Sequence, residues 1–494
     1  MKLLKKIFAT GILLATGACS DFLDEQLEGT YSNASFYKTE AHALLAVNGI
    51  YNTISFVSTD NVLWVFGDIA SDDAIKGGLA GDQSDIQFLE EFNYSPNNGY
   101  LEKIWRRYYE GITRANYLLA YGPGISMDET LKARILGEAK FLRAYLYFNL
   151  VNIFGEIPLK LSPPLTEADI NKPKSSVAGV YSQIEKDLVD AAAVLDPSYT
   201  GPDVGRATKG AAFALLAKAH LYQGEWQASL DAIEEVESLG LYSLVPVYKN
   251  NFIDSTQNNV ESIFEIQHLS GQSPKLGSHL NQWLGPVKYN GYGFDAPVQD
   301  LVDEFEVTSG GVVDPRLDYT LGRAGTKWID GKDFDPTWSS TGYLQKKHEQ
   351  PKSEEPVIGD ASLNYVYLRY ADVLLMKAEA LNELNRSDEA LVPLNEVRKR
   401  ARESYLYDED LEGAGVIPAE LLPDVTTTSQ AAVRQAIRHE RRVELALEFH
   451  RYFDLMRYGQ VAAEQALEGT GFNYDEHRYF SIPQSEIDAN SQID

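Results

Sequence analysis

AAFALLAKAHLYQGEWQASLDAIEEV, residues 211–236, reads as two helices joined at Gly224. Apolar residues recur at helical spacing on both sides of the glycine, and the small residues Ala217, Ala219, Gly224 and Ala228 fall where two antiparallel helices must approach closely. These are nearly the small positions of a tetratricopeptide hairpin. Such a hairpin cannot bury its apolar face alone, so it must stack on neighbours. The same grammar returns in YADVLLMKAEALNELNRSDEALVPLNEVRKRA, residues 370–401. There Ala378 and Ala380 precede a turn at Asn385, and Ala390 follows Ser387, which is expected to cap the second helix.

Working outward, the upstream sequence supplies more helices. Thr39 is expected to cap a segment with Leu44, Val47, Tyr51 and Ile54 on one face. A second helix carries Ile104, Tyr108, Ile112, Ala115 and Leu119, and a third carries Leu131, Ile135, Ala139, Leu142, Leu146 and Leu150. Gly122-Pro123-Gly124 between them forces a tight reversal, so the two lie antiparallel. The third ends in FGEIP, at Gly155 and Pro158, and a fourth with Val180, Ile184, Leu188, Ala191 and Leu195 runs to Asp196-Pro197. The fold expected is mainly α: a scaffold of about four tetratricopeptide-like hairpins, spanning 39–239 and 361–460.

Between the two halves the texture changes. Residues 240–360 are rich in Gly, Pro, Asn and Asp, with strand-like pieces such as ESIFEIQH and RLDYTL and one clear helix, PVQDLVDEFE. An excursion this long is too large for a connector, and binding surfaces are commonly built on such loops. No Ser/Gly or Pro tract separates one half from the other, so residues 19–494 are expected to form one domain.

The first residues carry an address. Lys2, Lys5 and Lys6 precede the apolar run from Ile7 to Ala15, followed by the small residues Thr16-Gly17-Ala18. This is the pattern of an export signal over 1–18, too short to serve as a permanent membrane anchor. Cys19, the only cysteine of the 494 residues, directly follows that site and resembles the attachment cysteine of a bacterial lipobox. Two or three acyl chains there would anchor the protein stably, each methylene contributing about 0.8 kcal/mol. With no second cysteine, stability must come from packing.

Charge excludes one class of partner. The chain carries a formal net charge of -28, and removing residues 1–18 deletes three further lysines and no acids. Such a surface repels phosphate backbones, so nucleic acid is excluded. No catalytic or metal signature emerges either. The eight histidines form no H-E-x-x-H or other zinc spacing, a single cysteine rules out thiol chemistry, and neither a nucleophile elbow nor a phosphate loop is present. The expectation is a protein that is not an enzyme and needs no cofactor or metal, except that Asp72 and Asp73 could hold a structural calcium. The charged stretch 437–459, in which Glu440, Arg441, Glu444, Glu448, Arg451, Asp454 and Arg457 alternate in sign, is expected to be one helix laced by its own ion pairs.

Several stretches in series resemble the SusD/RagB family of surface glycan-binding lipoproteins: CSDFLDE at 19–25, AKFLRAYLYFNLVNIFGEIPL at 139–159, GRATKGAAFALLAKAHLY at 205–222, YNGYGFDAPVQDLVDEFE and DPRLDYT, YLRYADVLLMKAEALNE at 367–383, IRHERRVELALEFHRYFDLMRYG at 437–459, and YFSIPQSEID at 479–488. The resemblance implies an outer-membrane, lipid-anchored, surface-exposed protein that captures oligosaccharides or other oligomeric nutrients and delivers them to a TonB-dependent, SusC-like barrel. One departure is Gly310-Gly311, standing where the family commonly has Asp-Gly.

Sugars present C–H faces and hydroxyl edges, so a site for them needs flat rings beside short polar side chains. Three stretches offer both: NVLWVFGDIASDD with Trp64 and Asp72, FNYSPNNGY with Tyr94 and Asn97, and NQWLGPVKYNGYGFD with Trp283, Tyr289 and Tyr292. The family's ligand residues come from corresponding loops, which favours the third. Trp328 and Trp338, in a Gly- and Asp-rich loop, are further candidates. The competing reading is a tetratricopeptide-like scaffold that binds only protein; it leaves the aromatic-rich excursion without a role.

Overall fold

Gly224 sits at φ +73°, the left-handed conformation that lets the chain reverse within three residues between helices Lys209–Tyr222 and Trp226–Ser238. The Ser229 hydroxyl donates to the Ala217 carbonyl at 2.9 Å across that pair, a contact that larger residues at Ala217 would prevent. The computed structural model describes residues 36–355 and 357–493, so the export signal and Cys19 lie outside the described residues.

Ten helices of eight residues or more lie among the described residues. In chain order they are α1 (Glu40–Ile54), α2 (Gly99–Tyr121), α3 (Glu129–Phe154), α4 (Val177–Ala192), α5 (Lys209–Tyr222), α6 (Trp226–Ser238), α7 (Tyr370–Glu383), α8 (Ser387–Tyr407), α9 (Gln430–Leu445) and α10 (Arg451–Tyr458). Side-chain oxygens of Thr39, Asn98, Asp128, Ser176 and Thr208 accept from first-turn amides of α1 to α5. Each helix from α1 to α8 packs on the next, giving the hairpin series α1–α2, α3–α4, α5–α6 and α7–α8, with α9 laid against α7. The fold is mainly α and tetratricopeptide-like. One apolar core runs through it from Ala43 to Phe480.

Ser387 corrects one expectation. It is the first residue of α8 and not its cap; its hydroxyl instead donates to Asn382 at 2.7 Å and ties the turn to the end of α7.

The excursion adds little regular structure. Strand β1 (Ala74–Gly77) pairs antiparallel with β3 (Phe294–Pro297), and β2 (Ser262–Ile266), from the ESIFEIQH stretch, pairs antiparallel with β4 (Tyr365–Arg369). The helix expected in PVQDLVDEFE covers Gln299–Glu304. RLDYTL, expected as a strand, is instead mostly the helical turn Pro315–Thr320. Asp314 caps it by accepting from the Arg316 amide, and Pro315 occupies the first helical position, where its missing N–H costs nothing.

The stretch 437–459 is not one helix. The chain leaves the helical region at residues 446–450, where Leu447 and Phe449 take φ of +59° and +66°, and restarts as α10. One expected pair along the helix forms, Arg457 to Asp454 at 2.8 Å, but most of its charges reach across the fold. Glu444 accepts from Arg316, Arg369 and Arg400, and Glu448 accepts from Arg369 and from Lys347 at 2.7 Å. Arg441 bridges Asp372 at 2.8 Å and Asp454 at 3.2 Å. These groups are fully or almost fully buried, so each relies on its partners for the solvation it has lost.

Candidate functional site

The β1–β3 ladder holds a glycine-dense loop against the body. Gly78 N–H donates to the Gly293 carbonyl at 2.8 Å, Gly293 N–H to Gly285 at 2.9 Å, and Tyr292 N–H to Gln282 at 2.8 Å. At Gly291 a Cβ would lie 2.2 Å from the Gly285 carbonyl oxygen, so only glycine closes this turn. The turn carries Tyr289 and Tyr292 at the protein surface.

Tyr292, 44 % exposed, caps a column of rings. Its ring lies 5.8 Å from Phe294 with the planes 19° apart, and Phe294 lies 6.1 Å from Trp64 at 13°. Trp283 flanks the column, 5.5 Å from Tyr292 and 5.8 Å from Trp64. Stacked and tilted pairs at these separations add about 0.5–1.5 kcal/mol each beyond area burial, so the outer ring has a rigid base. The α2 residue Lys103 places its ammonium 4.5 Å from the Tyr100 ring and 5.9 Å from Trp283; burial lowers its pKa.

A second aromatic group adjoins the first. Trp328, Phe334 and Trp338 pack together over Leu344, and Tyr289 meets Trp338 edge-on at 5.2 Å. The Trp338 carbonyl faces Gly293, which joins the two groups at the turn. Lys288 lies 5.2 Å above Trp338, and Lys332 lies 5.8 Å from Tyr289. The exposed product is a ridge, Tyr289 to Tyr292, with cationic donors beside it.

The structure thus brings six of the sequence candidates together, in different roles; Trp328 is buried against Trp338. Tyr289 and Tyr292 reach the surface. Trp64 has no exposure at all, and Trp283 and Trp338 keep 9 % and 6 %, so these three act as support for the exposed rings and not as an open stacking face. The polar neighbours of Trp283 in sequence suggested exposure; the rings that bury it come from residue 64 and from the far side of its own loop.

Three candidates stand elsewhere. Tyr94 packs against Phe480 at 5.4 Å and docks the C-terminal segment, whose Gln484 amide donates to the Pro96 carbonyl. Asn97 is exposed beside the α2 cap, and no contact joins it to the ridge. Asp72 is held by Arg451 through two hydrogen bonds of 2.7 Å. Burial pushes its pKa up, but Arg451 and Arg442 outweigh that and hold it below the usual range. Asp73 accepts from Arg442 at 2.8 Å. Guanidinium groups therefore take both oxygens of Asp72 and one of Asp73, while Asp73 Oδ2 is buried without a hydrogen-bond partner.

Sequence spacing missed two features. Tyr100 and Lys103, one turn apart on α2, form the flank of the ridge; an aromatic–lysine pair at i and i+3 was the available signal. Glu185, His220 and Glu225 converge at the α5–α6 turn with potential ligand atoms within 4.8 Å, drawn from two hairpins that sequence separation keeps apart.

Comparison with known proteins places this geometry. A family profile described as "SusD family" matches residues 260–494, and one described as "Starch-binding associating with outer membrane" matches residues 22–221. The chain is 26% identical to SusD-like protein P25 of Formosa agariphila, over 93% of this chain and 90% of that one. Among solved structures, a laminarin-binding SusD-like protein superposes with a TM-score of 0.76 at 29% identity, covering 93% of this chain and 99% of the other. A SusD superfamily protein from Bacteroides vulgatus superposes with a TM-score of 0.78 at 24% identity, covering 93% and 99%. With the matches running through both halves of the helical scaffold and through the loops that build the ridge, this chain belongs to the SusD/RagB family.

Proposed function

We propose that this chain is a lipoprotein of the outer-membrane surface, anchored through Cys19, that binds oligosaccharides on the Tyr289–Tyr292 ridge and delivers them to a TonB-dependent, SusC-like barrel. The observation that carries the reading is Tyr292: a half-exposed ring stacked on the buried Phe294 and flanked by the buried Trp283, on a ridge whose other ring, Tyr289, has the ammoniums of Lys288 and Lys332 5.9 and 5.8 Å away. A sugar's C–H face packs on such a ring while its hydroxyls meet the polar rim. The family description, starch binding in association with the outer membrane, supports the reading, as does a structural relative at 29% identity that binds laminarin. Among the described residues no helix is long and apolar enough to cross a membrane.

The test is a glycan array on the chain from residue 19 onward with Cys19 replaced by Ser, with laminarin among the probes. Saturable binding to one glycan class, without hydrolysis products, supports the reading. Silence across the array, or release of shorter sugars, sinks it. Delivery is tested separately, by whether a barrel of the TonB-dependent class co-purifies with the native lipoprotein from detergent-extracted membranes.

A further inference from the structure

Away from the ridge, the loop Val204–Arg206 divides a shallow groove into two lobes. The larger, about 320 Å³, lies between the second half of α1, this loop and residues 265–269; the smaller, about 220 Å³, lies between the loop, Tyr242 and β2. The larger lobe is at the low end of the range for small-ligand sites, about 300–1,000 Å³.

The charged groups of the lining are met from within: Glu265, buried where the two lobes meet, accepts from the Asn258 amide and from the Asn364 side chain, both at 2.9 Å. Arg206 is the groove's guanidinium, and it donates to Glu138 at 2.9 Å and to Asp203 at 2.7 Å, so its charge is met from within. His268 in the larger lobe accepts from the Phe56 amide at Nε2, at 3.1 Å, which places its proton on Nδ1. Burial pulls its pKa down to about 3, against hydrogen bonds to the Ile266 and Leu363 backbone that act the other way, so the ring is neutral.

The remaining side chains have the character of a carbohydrate site. Tyr51, Tyr199 and Tyr242 are half-buried; Asn48 and Asn52, both exposed, supply amides in the larger lobe; and Val204, 44 % exposed, stands on the divide between the lobes. Rings beside neutral amides suit a ligand with apolar faces, many hydroxyls and no charge. An acidic ligand finds no free cation here, and the chain's net charge of -28 repels it.

We infer that this groove is a second saccharide subsite, taking a short neutral stretch of oligosaccharide. The ligand class rests on the glycan-binding reading above; the location does not. Phe56, whose amide faces His268, also accepts at its carbonyl from the His279 amide at the start of the helical turn that carries Trp283, so the groove and the ridge share one wall. Two weak sites on one body raise the effective concentration of a polymeric ligand at each.

The test is calorimetry and saturation-transfer NMR on the same chain with laminarihexaose, maltohexaose and cellohexaose. Three forms are compared: wild type, Tyr289→Ala/Tyr292→Ala, and that double variant with Val204→Trp, a replacement at an exposed position that fills the divide. The double variant is expected to keep residual binding to a hexasaccharide, and Val204→Trp is expected to weaken that residue by about tenfold or more. Asn52→Ala in the same double variant, which removes an exposed amide without adding bulk, is expected to act in the same direction, and thermal melting confirms folding of every form. If the double variant loses all binding, or Val204→Trp and Asn52→Ala leave the residual binding unchanged, the second subsite is overturned while the ridge stands. If wild type binds no saccharide at either place, the functional reading falls and the inference falls with it.

Discussion

Tyr292 rests on Phe294 with ring centroids 5.8 Å apart and planes 19° apart, so an exposed aromatic face is fixed by a buried one two residues along the same chain. The relationship separates binding from stability. Removing the outer ring leaves the core intact, whereas removing the inner ring takes away its base.

Tyr292→Ala is therefore expected to weaken glycan binding by about tenfold or more, equal to about 1.4 kcal/mol, while shifting the melting temperature little. Tyr292→Phe keeps the face and is expected to retain most of the affinity. Calorimetry with thermal melting of the same samples separates the two effects.

Phe294→Ala is expected to behave in the opposite way. Truncating a fully buried phenylalanine costs about 3–5 kcal/mol, and here it also undermines Tyr292, so stability and affinity fall together. Denaturant unfolding measures the first and a binding titration the second. A variant that keeps full affinity contradicts the supporting role given to the ring column.

The buried charge network gives a prediction about architecture. Glu444 meets Arg316, Arg369 and Arg400 with no exposure, so Glu444→Gln leaves three guanidiniums short of a buried counter-charge. Breaking such a network from one side costs about 3–5 kcal/mol. The unfolding midpoint of Glu444→Gln should fall accordingly, without a selective effect on glycan specificity.

Dependence on pH follows from the same region. Burial alone lowers the pKa of His439, but hydrogen bonds to Glu304 at 2.6 Å and Glu306 at 3.2 Å outweigh it and raise the value to about 9. The folded value stands above the unfolded one, so this stabilisation is complete below about 6.5 and is lost as pH rises through 9. Glu448 runs the other way: burial pushes it up, yet Arg369 and Lys347 bring it down to about 2, so its contribution holds above about 4.5 and disappears as pH falls through 2. Melting scans should show a plateau between these limits, and His439→Gln should flatten the alkaline fall alone.

The scaffold was legible in the sequence because its information is local. Gly224 at φ +73° and Asn385 at φ +61° mark the hairpin turns, and alanines mark the close helix contacts. What failed was non-local. The alternating charges of 437–459 fit an intrahelical ladder equally well, and their distant partners Arg316, Arg369, Arg400 and Asp372 have no local signature. The helical turn Pro315–Thr320 was within reach, since Asp314-Pro315 is a start signal that the β-prone Tyr319 and Thr320 obscured. At the site, the loop 281–295 was legible from its glycines and rings, but the division into exposed Tyr292, half-buried Tyr289 and supporting Trp283, Trp64 and Trp338 was not. Burial there is set by β1 meeting β3 across more than two hundred residues, which no local pattern encodes.

The most direct measurement is a calorimetric titration of laminarin, or of the best glycan from an array, into wild type and into Tyr289→Ala/Tyr292→Ala at matched stability. A fall in affinity of about tenfold or more at the ridge, with the melting temperature unchanged, is the result predicted. Equal affinities in the two proteins would contradict the ridge as the site of capture.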